Sequence, residues 1–220
     1  SASHLEQALR KEDNSVLRVL VESDNYKEGL QSLEKANLPK DVHYIVNLTG
    51  GTKIMSLMVY DFFRKFNCTF YYIPIGKNIY CNIEDGQMES LRYRISLKEY
   101  FTLYGLLFEC NNTLLKDKKI TFAFFEKQKK RNFILSKEIT SSKQAPTTED
   151  RRYYSGAWFE EYTYLRIKEE LALQDEDISM SLKIYRNDFS HNDNEIDVAF
   201  MFENKLYIIE CKVSMNGYGK

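Results

Sequence analysis

The sequence predicts an α/β protein in three segments. An N-terminal domain alternates strands and helices on a parallel sheet, a small connecting segment follows, and a C-terminal α/β domain closes on a β-hairpin. Three observations carry this. Residues 16–75 alternate β-branched or aromatic runs with stretches of helical spacing. The pair Gly50-Gly51 sits where one such strand hands over to a helix. Near the C-terminus, two apolar runs flank Glu203-Asn204-Lys205. With 220 residues, 43% hydrophobic and 29% charged, the chain has enough apolar surface for a packed core and enough length for two small domains. The predicted boundaries are 1–90, 91–150 and 151–220.

Leu5 to Lys11 reads as a helix. Val16-Leu-Arg-Val-Leu-Val21 is a β-branched run and a predicted strand. Lys27 to Ala36 is a polar helix with Leu30 and Leu33 on one side, closed by Pro39. Val42 to Leu48 is the next strand. Thr52 to Phe66 places Ile54, Leu57, Met58, Phe62 and Phe66 at helical spacing. Thr69 to Ile75 is a further strand, and this alternation predicts a parallel, doubly wound sheet. In the connecting segment Leu97 to Phe108 reads as a helix, and Glu126-Lys-Gln-Lys-Lys-Arg131 as a solvated charged face. Thr140 to Arg152, with Pro146, reads as a linker. Gly156 to Leu173 has helical spacing, Ser179 to Arg186 is a strand, and Asp188 to Asn194 a polar loop. Ile196 to Phe202 and Leu206 to Val213 are the closing strands.

Lys and Arg number 31 against 32 Asp and Glu, so a protein coated in positive charge is excluded, though a local basic groove is not. The four cysteines (Cys68, Cys81, Cys110, Cys211) form no C-x-x-C pair, and His4, His43 and His191 are scattered, which argues against structural zinc. No disulfide framework is indicated, in keeping with a reducing, cytoplasmic setting. No apolar run reaches membrane-spanning length and no signal-peptide pattern opens the chain, so no membrane partner is expected.

The chemistry-bearing residues concentrate on the closing hairpin. A two-residue turn at Glu203-Asn204 sets Asp197 opposite Glu210, whereas a turn at Asn204-Lys205 sets Asp197 opposite Lys212. Side chains alternate along a strand, so either register puts Asp197, Glu210 and Lys212 on one face, and a three-residue turn breaks this. Ile196, Val198, Phe200, Ile208, Ile209 and Val213 fill the other positions, so the hairpin is expected inside a sheet. Carboxylates opposite each other repel, and unpaired buried charge is costly. A hard divalent cation, Mg2+ or Mn2+, offsets both. Lys212 beside it can orient water or neutralise phosphate charge. The plainer alternative is an Asp/Glu–Lys ion pair with no metal.

Ile196-Asp197 followed by Glu210-Cys211-Lys212 resembles the PD-(D/E)xK core of restriction-endonuclease-like nucleases. Gly156-Ala-Trp-Phe-Glu160-Glu161 resembles the helix that supplies these enzymes with an extra glutamate. The resemblance implies catalytic Glu160, Asp197, Glu210 and Lys212, with Asp197, Glu210 and Glu160 as metal ligands. Glu161 is the second choice for the extra acid, and an exposed helix face is the bland reading of both.

Asn47-Leu-Thr-Gly-Gly-Thr-Lys53 lies between a strand and a helix. Two glycines let the backbone approach a ligand, the helix start offers free N–H groups, and Thr49, Thr52 and Lys53 add hydroxyls and a charge. The spacing fits neither an ATPase loop nor a nicotinamide site. A tight capped turn is the alternative. The segment resembles the signature of CARF domains, the CRISPR-associated Rossmann-like sensors. Both ends together resemble the CARF nucleases of type III CRISPR systems, the Card/Can group. That resemblance implies a homodimer that binds a cyclic oligoadenylate, the tetramer above others, and then cuts single-stranded DNA, RNA or both. Asn47, Thr49, Gly50, Gly51, Thr52 and Lys53 would line the ligand site, with Gly76 of Ile75-Gly76-Lys77-Asn78 beside them. The chain opens on a helix in place of the strand and hydroxyl-rich loop of such sensors, and eight residues follow Lys212, so both sites are expected to be incomplete. A sensor with a silent nuclease core, and a restriction- or repair-type nuclease needing no ligand, are the competing readings.

Overall fold

In the computed structural model, residues 2–10, 15–131, 147–186, 188–190 and 194–213 are described. The chain divides into two compact units, Leu9–Arg94 on one side and Ser1–Ala8 with Ile95–Lys220 on the other. The segment expected to connect the two ends is built into the second unit. Its strand pairs with a C-terminal strand and its long helix packs on a C-terminal helix. The expected linker at 140–152 lies outside the described residues up to 146, and its last residues form a helix.

The first unit holds a four-stranded sheet in the order β1 (Tyr44–Asn47), β2 (Cys68–Tyr72), β3 (Ile79–Asn82), β4 (Met88–Ser90). Helices α2 (Tyr26–Lys35) and α3 (Lys53–Phe63) pack together through Leu33, Met58 and Phe62. α1 (Ala2–Arg10) precedes them. Only β1 and β2 pair in parallel, through the crossover helix α3, so the sheet is mixed rather than parallel throughout. The reason is chain length. The connections from β2 to β3 and from β3 to β4 are too short to carry a crossover, and Gly86 at φ 73 closes the second as a tight turn. The expected strand at Val16–Val21 does not form. Val19 and Val21 pack on the α2/α3 core, while Leu17 and Leu20 are exposed. A β-branched run becomes a strand only where a partner strand meets its backbone.

The second unit holds an antiparallel sheet in the order β5 (Leu107–Glu109), β6 (Ile178–Tyr185), β7 (Asn194–Phe202), β8 (Lys205–Ile209). The expected helix from Leu97 stops at Tyr104 as α4, because Gly105 takes φ 70 and caps it, and the chain turns into β5. One face of the sheet packs Ile178, Met180, Val198 and Phe200 against Tyr164 and Leu165 of α7 (Trp158–Glu170). Leu182, Ala199 and Met201 pack against Leu97 and Phe101 of α4 in a second cluster. α5 (Lys118–Lys130) lies against α7 and keeps its terminal charges exposed around a buried Gln128. A short helix α6 (Thr148–Arg152), closed by a Thr147/Asp150 capping box, runs through a π-helical turn at Tyr153–Ala157 into α7. β8 is an edge strand, with Tyr207 and Ile208 exposed, so the hairpin is interior only on its β7 side.

Candidate functional site

The hairpin turn is the two-residue one. Phe202 pairs with Lys205 and Val198 with Ile209, around Glu203 and Asn204 at φ 49 and 58. Both central residues at positive φ make the turn whose twist suits a hairpin. Asn204 Oδ1 also accepts the Ile95 N–H at 2.8 Å, which fixes the turn to the start of α4. The register, continued one pair beyond Val198–Ile209, sets Asp197 level with Glu210. The backbone has left the ladder there, and the Cys211 N–H donates to Asp197 Oδ2 at 2.6 Å.

Asp197 is half-buried. Burial raises its pKa, the Glu210 and Glu195 carboxylates raise it further, and the Cys211 N–H and Lys212 oppose them. Glu160, on the first turn of α7, is also half-buried. Its pKa is raised by burial and then by Asp197, against the pull of Arg152. Lys212 Nζ stands 3.4 Å from Glu210 Oε1, and both side chains are largely exposed, at 74% and 63%. The fold therefore brings Glu160, Asp197, Glu210 and Lys212 into one electrostatic neighbourhood, with Asp197 and Glu160 inward and Glu210 and Lys212 outward.

Glu161 is different in kind. It is 2% exposed, its Oε1 accepts the Leu115 N–H at 2.5 Å, and its Oε2 accepts the Thr121 hydroxyl, which in turn receives the Tyr153 O–H. It ties α7 to the 113–117 loop, so neither glutamate sits on an exposed helix face.

A divalent cation of the Mg2+ or Mn2+ kind needs hard oxygen donors. Glu160 and Asp197, both held up in pKa by burial and by neighbouring carboxylates, supply hard oxygens that suit such an ion. Among the described residues, however, no three Asp, Glu, His or Cys side chains converge closely enough to hold one.

Two residues of the site were not picked out from the sequence. Arg152 lines a cavity with Glu160, Glu161, Ser181 and Asn111, and also a larger polar groove with Lys183 and Glu195. Its signal was Thr147-Thr-Glu-Asp150, a helix-start pattern inside the stretch read as linker. Ser181 sits at φ 46 between two regular ladder pairs, opposite Asp197, and no sequence pattern announces it.

In the first unit the glycine loop is a capped strand-to-helix turn. Thr52 caps α3 by accepting the Met55 N–H, and its hydroxyl donates to the Ser23 carbonyl at 3.2 Å. Asn47 Oδ1 accepts the Thr49 N–H at 2.9 Å, and Thr49 Oγ1 accepts the Ile73 N–H at 2.7 Å, fastening the loop to the segment after β2. Ser56, just inside α3, donates toward the Leu48, Gly50 and Thr52 carbonyls. Gly51 holds φ 82, where a side chain would be strained and would meet Met55 at 3.2 Å. A Cβ at Gly50 meets nothing within 4 Å, so that backbone is open to an approaching group. Gly50, Thr52 and Lys53 are exposed, as is Gly76, with open space at its own Cβ position. Asn47 and Thr49 thus shape the loop through their own hydrogen bonds, and Gly50 to Lys53 present it.

Two α/β units, one with a glycine loop open at Gly50 before a helix and one with a carboxylate-bearing hairpin, define the class. Residues 2–100 match the family model of the Card1 CARF domain, and residues 147–219 that of the Card1-like endonuclease domain. The chain thus carries a CARF domain of the Card1 type followed by a Card1-like endonuclease domain. Among solved structures it resembles Can2 from Sulfobacillus thermosulfidooxidans, solved in complex with cyclic tetra-adenylate. The identity is 21% and the TM-score 0.73, over 99% of this chain and 72% of that one. Protein VC1899 from Vibrio cholerae is similar at 19% identity and a TM-score of 0.71, covering 96% of this chain and 70% of that one. A type III CRISPR defence DNA nuclease activated by cyclic oligoadenylate matches at 18% identity and a TM-score of 0.59, with 95% of this chain covering 34% of that one. At such identities these likenesses speak for the fold. No curated protein matches the chain in sequence. Among the described residues, no helix is long and apolar enough to cross a membrane.

Proposed function

We propose that this chain is a metal-dependent endonuclease of type III CRISPR defence, a homodimer switched on by a cyclic oligoadenylate and cutting single-stranded DNA or RNA. The observation that carries the reading is the two-residue turn at Glu203-Asn204, which holds Asp197 level with Glu210 and next to the Cys211 N–H. Asp197, Glu160 and Glu210 would hold Mg2+ or Mn2+. Such an ion acidifies a bound water and polarises a phosphoryl oxygen when present. The protein's own contribution is positional. The Cys211 N–H fixes the Asp197 carboxylate, and Arg152 favours the ionised form of Glu160. The exposed Lys212 ammonium is free to swing from Glu210 toward a phosphate and stabilise charge as it develops. In the first unit, the open backbone at Gly50 and the start of α3 suit the phosphates of a cyclic oligoadenylate, with cyclic tetra-adenylate the preferred ring.

One observation favours a second reading, a ligand sensor with a silent nuclease core: three acids do not converge among the described residues. Labelled single strands, incubated with Mn2+ and cyclic tetra-adenylate, separate the two. Cleavage that Asp197→Ala and Lys212→Ala each remove supports the nuclease. Cleavage unchanged in both variants contradicts the assigned site, and tight ligand binding with no cleavage under any metal supports the silent core.

A further inference from the structure

The carboxylates of the proposed site have an apolar neighbour that the reaction does not use. A half-open cavity of about 330 Å³ is lined by Phe125, Trp158, Phe159, Lys212 and Val213. Its size falls within the range of small-ligand sites, about 300–1,000 Å³. Trp158 and Phe159 come from the same turn of α7 that delivers Glu160, and Phe125 comes from α5. The rings of Trp158 and Phe159 lie 5.4 Å apart, and those of Phe125 and Trp158 lie 6.4 Å apart, so the wall is aromatic, with Trp158 buried, Phe125 stacked on Tyr162 at 3.5 Å, and Phe159 half-buried. Trp158 also carries a buried indole N–H with no hydrogen-bond partner. Among the described residues, the one charged member of the lining is Lys212, which the proposed function places against the substrate phosphate.

An aromatic pocket with an ammonium on its edge matches one half of a nucleotide at each point. The Phe159 ring takes a base by stacking, with Phe125 closing the pocket beside it, and the cation takes the phosphate attached to that base. We propose that this cavity receives an unpaired nucleobase of the substrate, next to the phosphate that Lys212 meets. The pocket makes the enzyme select single strands, because in a duplex each base face is already covered by its stacked neighbours. Phe125 and Phe159 are thus specificity-determining residues, and they act through the strand rather than on the bond being cut. This inference rests on the nuclease reading of the same site.

The test uses short single strands carrying the fluorescent base 2-aminopurine at one position each. They are titrated with the full chain bearing Asp197→Asn, which binds without cutting, in the presence of cyclic tetra-adenylate. Stacking quenches this base, so fluorescence should fall about two-fold or more at one position, or two adjacent ones, and not elsewhere along the strand. Phe159→Leu on that background should remove the fall at that position, and Phe125→Leu should weaken it, while both variants keep the parent's melting temperature to within a few degrees. In the wild-type background the same changes should raise KM for single strands about ten-fold with kcat nearly unchanged, and narrow the preference over duplex. Quenching that is uniform along the strand, or equal in Phe159→Leu, overturns the proposal, as does the absence of single-strand binding. Wild-type cleavage without localised quenching removes the base pocket and leaves the nuclease standing. Localised quenching without wild-type cleavage leaves a strand-binding pocket and removes the nuclease.

Discussion

At Asp197, burial and the facing carboxylates act in one direction, and the consequence is measurable. The folded-state pKa lies above the unfolded one, so ionisation costs stability, and that cost grows as pH rises through the folded value. Asp197→Asn should therefore raise the melting temperature of the metal-free protein at neutral pH. Each kcal/mol relieved is worth about 2–4 °C in a chain of this size. The gain should vanish in acid, where the native carboxyl is already protonated. Added Mn2+ should stabilise the parent and not the variant. Lys212 is the contrasting case. Its pair with Glu210 is exposed, and such pairs contribute less than about 1 kcal/mol. Lys212→Ala should leave melting unchanged while cleavage falls by about a hundred-fold or more. Glu161 has the reverse profile. Removing it leaves the Leu115 N–H and the Thr121 hydroxyl without their acceptor, so Glu161→Ala should destabilise by about 2–4 kcal/mol in urea unfolding, and Glu161→Gln by much less. Adjacent glutamates in one helix turn look equivalent in sequence. Only the packing of the 113–117 loop separates a network residue from a site residue, and that packing is a long-range fact.

The hairpin is the element whose sequence said most about its structure. Three polar residues between two apolar strands limit the turn to a few registers, and each of the short ones keeps Asp197 and Lys212 on one face. The choice among them is made by local conformation. Glu203 and Asn204 both accept left-handed φ, and Asn204 gains a hydrogen bond to Ile95 that lies far away in the chain. Glu203 pays a steric penalty there that Asn does not. Glu203→Asn should stabilise by about 0.5–1 kcal/mol and leave cleavage unaltered, checked by urea unfolding and single-turnover rates. Elements fixed by tertiary partners were less legible. The Val16–Val21 run has the composition of a strand and lacks a partner for it. The 3-residue β5 is too short for a periodic signal and exists because β6 pairs with it. Interior burial was overstated for the second strand of the hairpin, since β8 is an edge and Ile208 is 57% exposed. Alternation gives the face of a strand, not its place in the sheet.

Across the whole molecule, the two ends were legible from two short motifs and the first border fell within four residues of the one expected at 90, but the place of the middle segment was not legible. Gly50-Gly51 and the Asp197/Glu210/Lys212 set each announce local chemistry. The border near Arg94 depends on which sheet the middle of the chain joins, and its mixed helix-strand composition does not disclose that. The loop and the hairpin lie in different units, so the proposed activation is a coupling: a ligand at one unit switches chemistry at the other. The most direct test is the cleavage rate of labelled single strands with Mn2+, measured with and without cyclic tetra-adenylate, for the parent chain and for Gly51→Val. Cutting should be negligible without the ligand and rise at least about ten-fold with it. That rise should be lost in Gly51→Val, whose hairpin is untouched, if the coupling holds. Equal rates with and without the ligand, in both proteins, would contradict it.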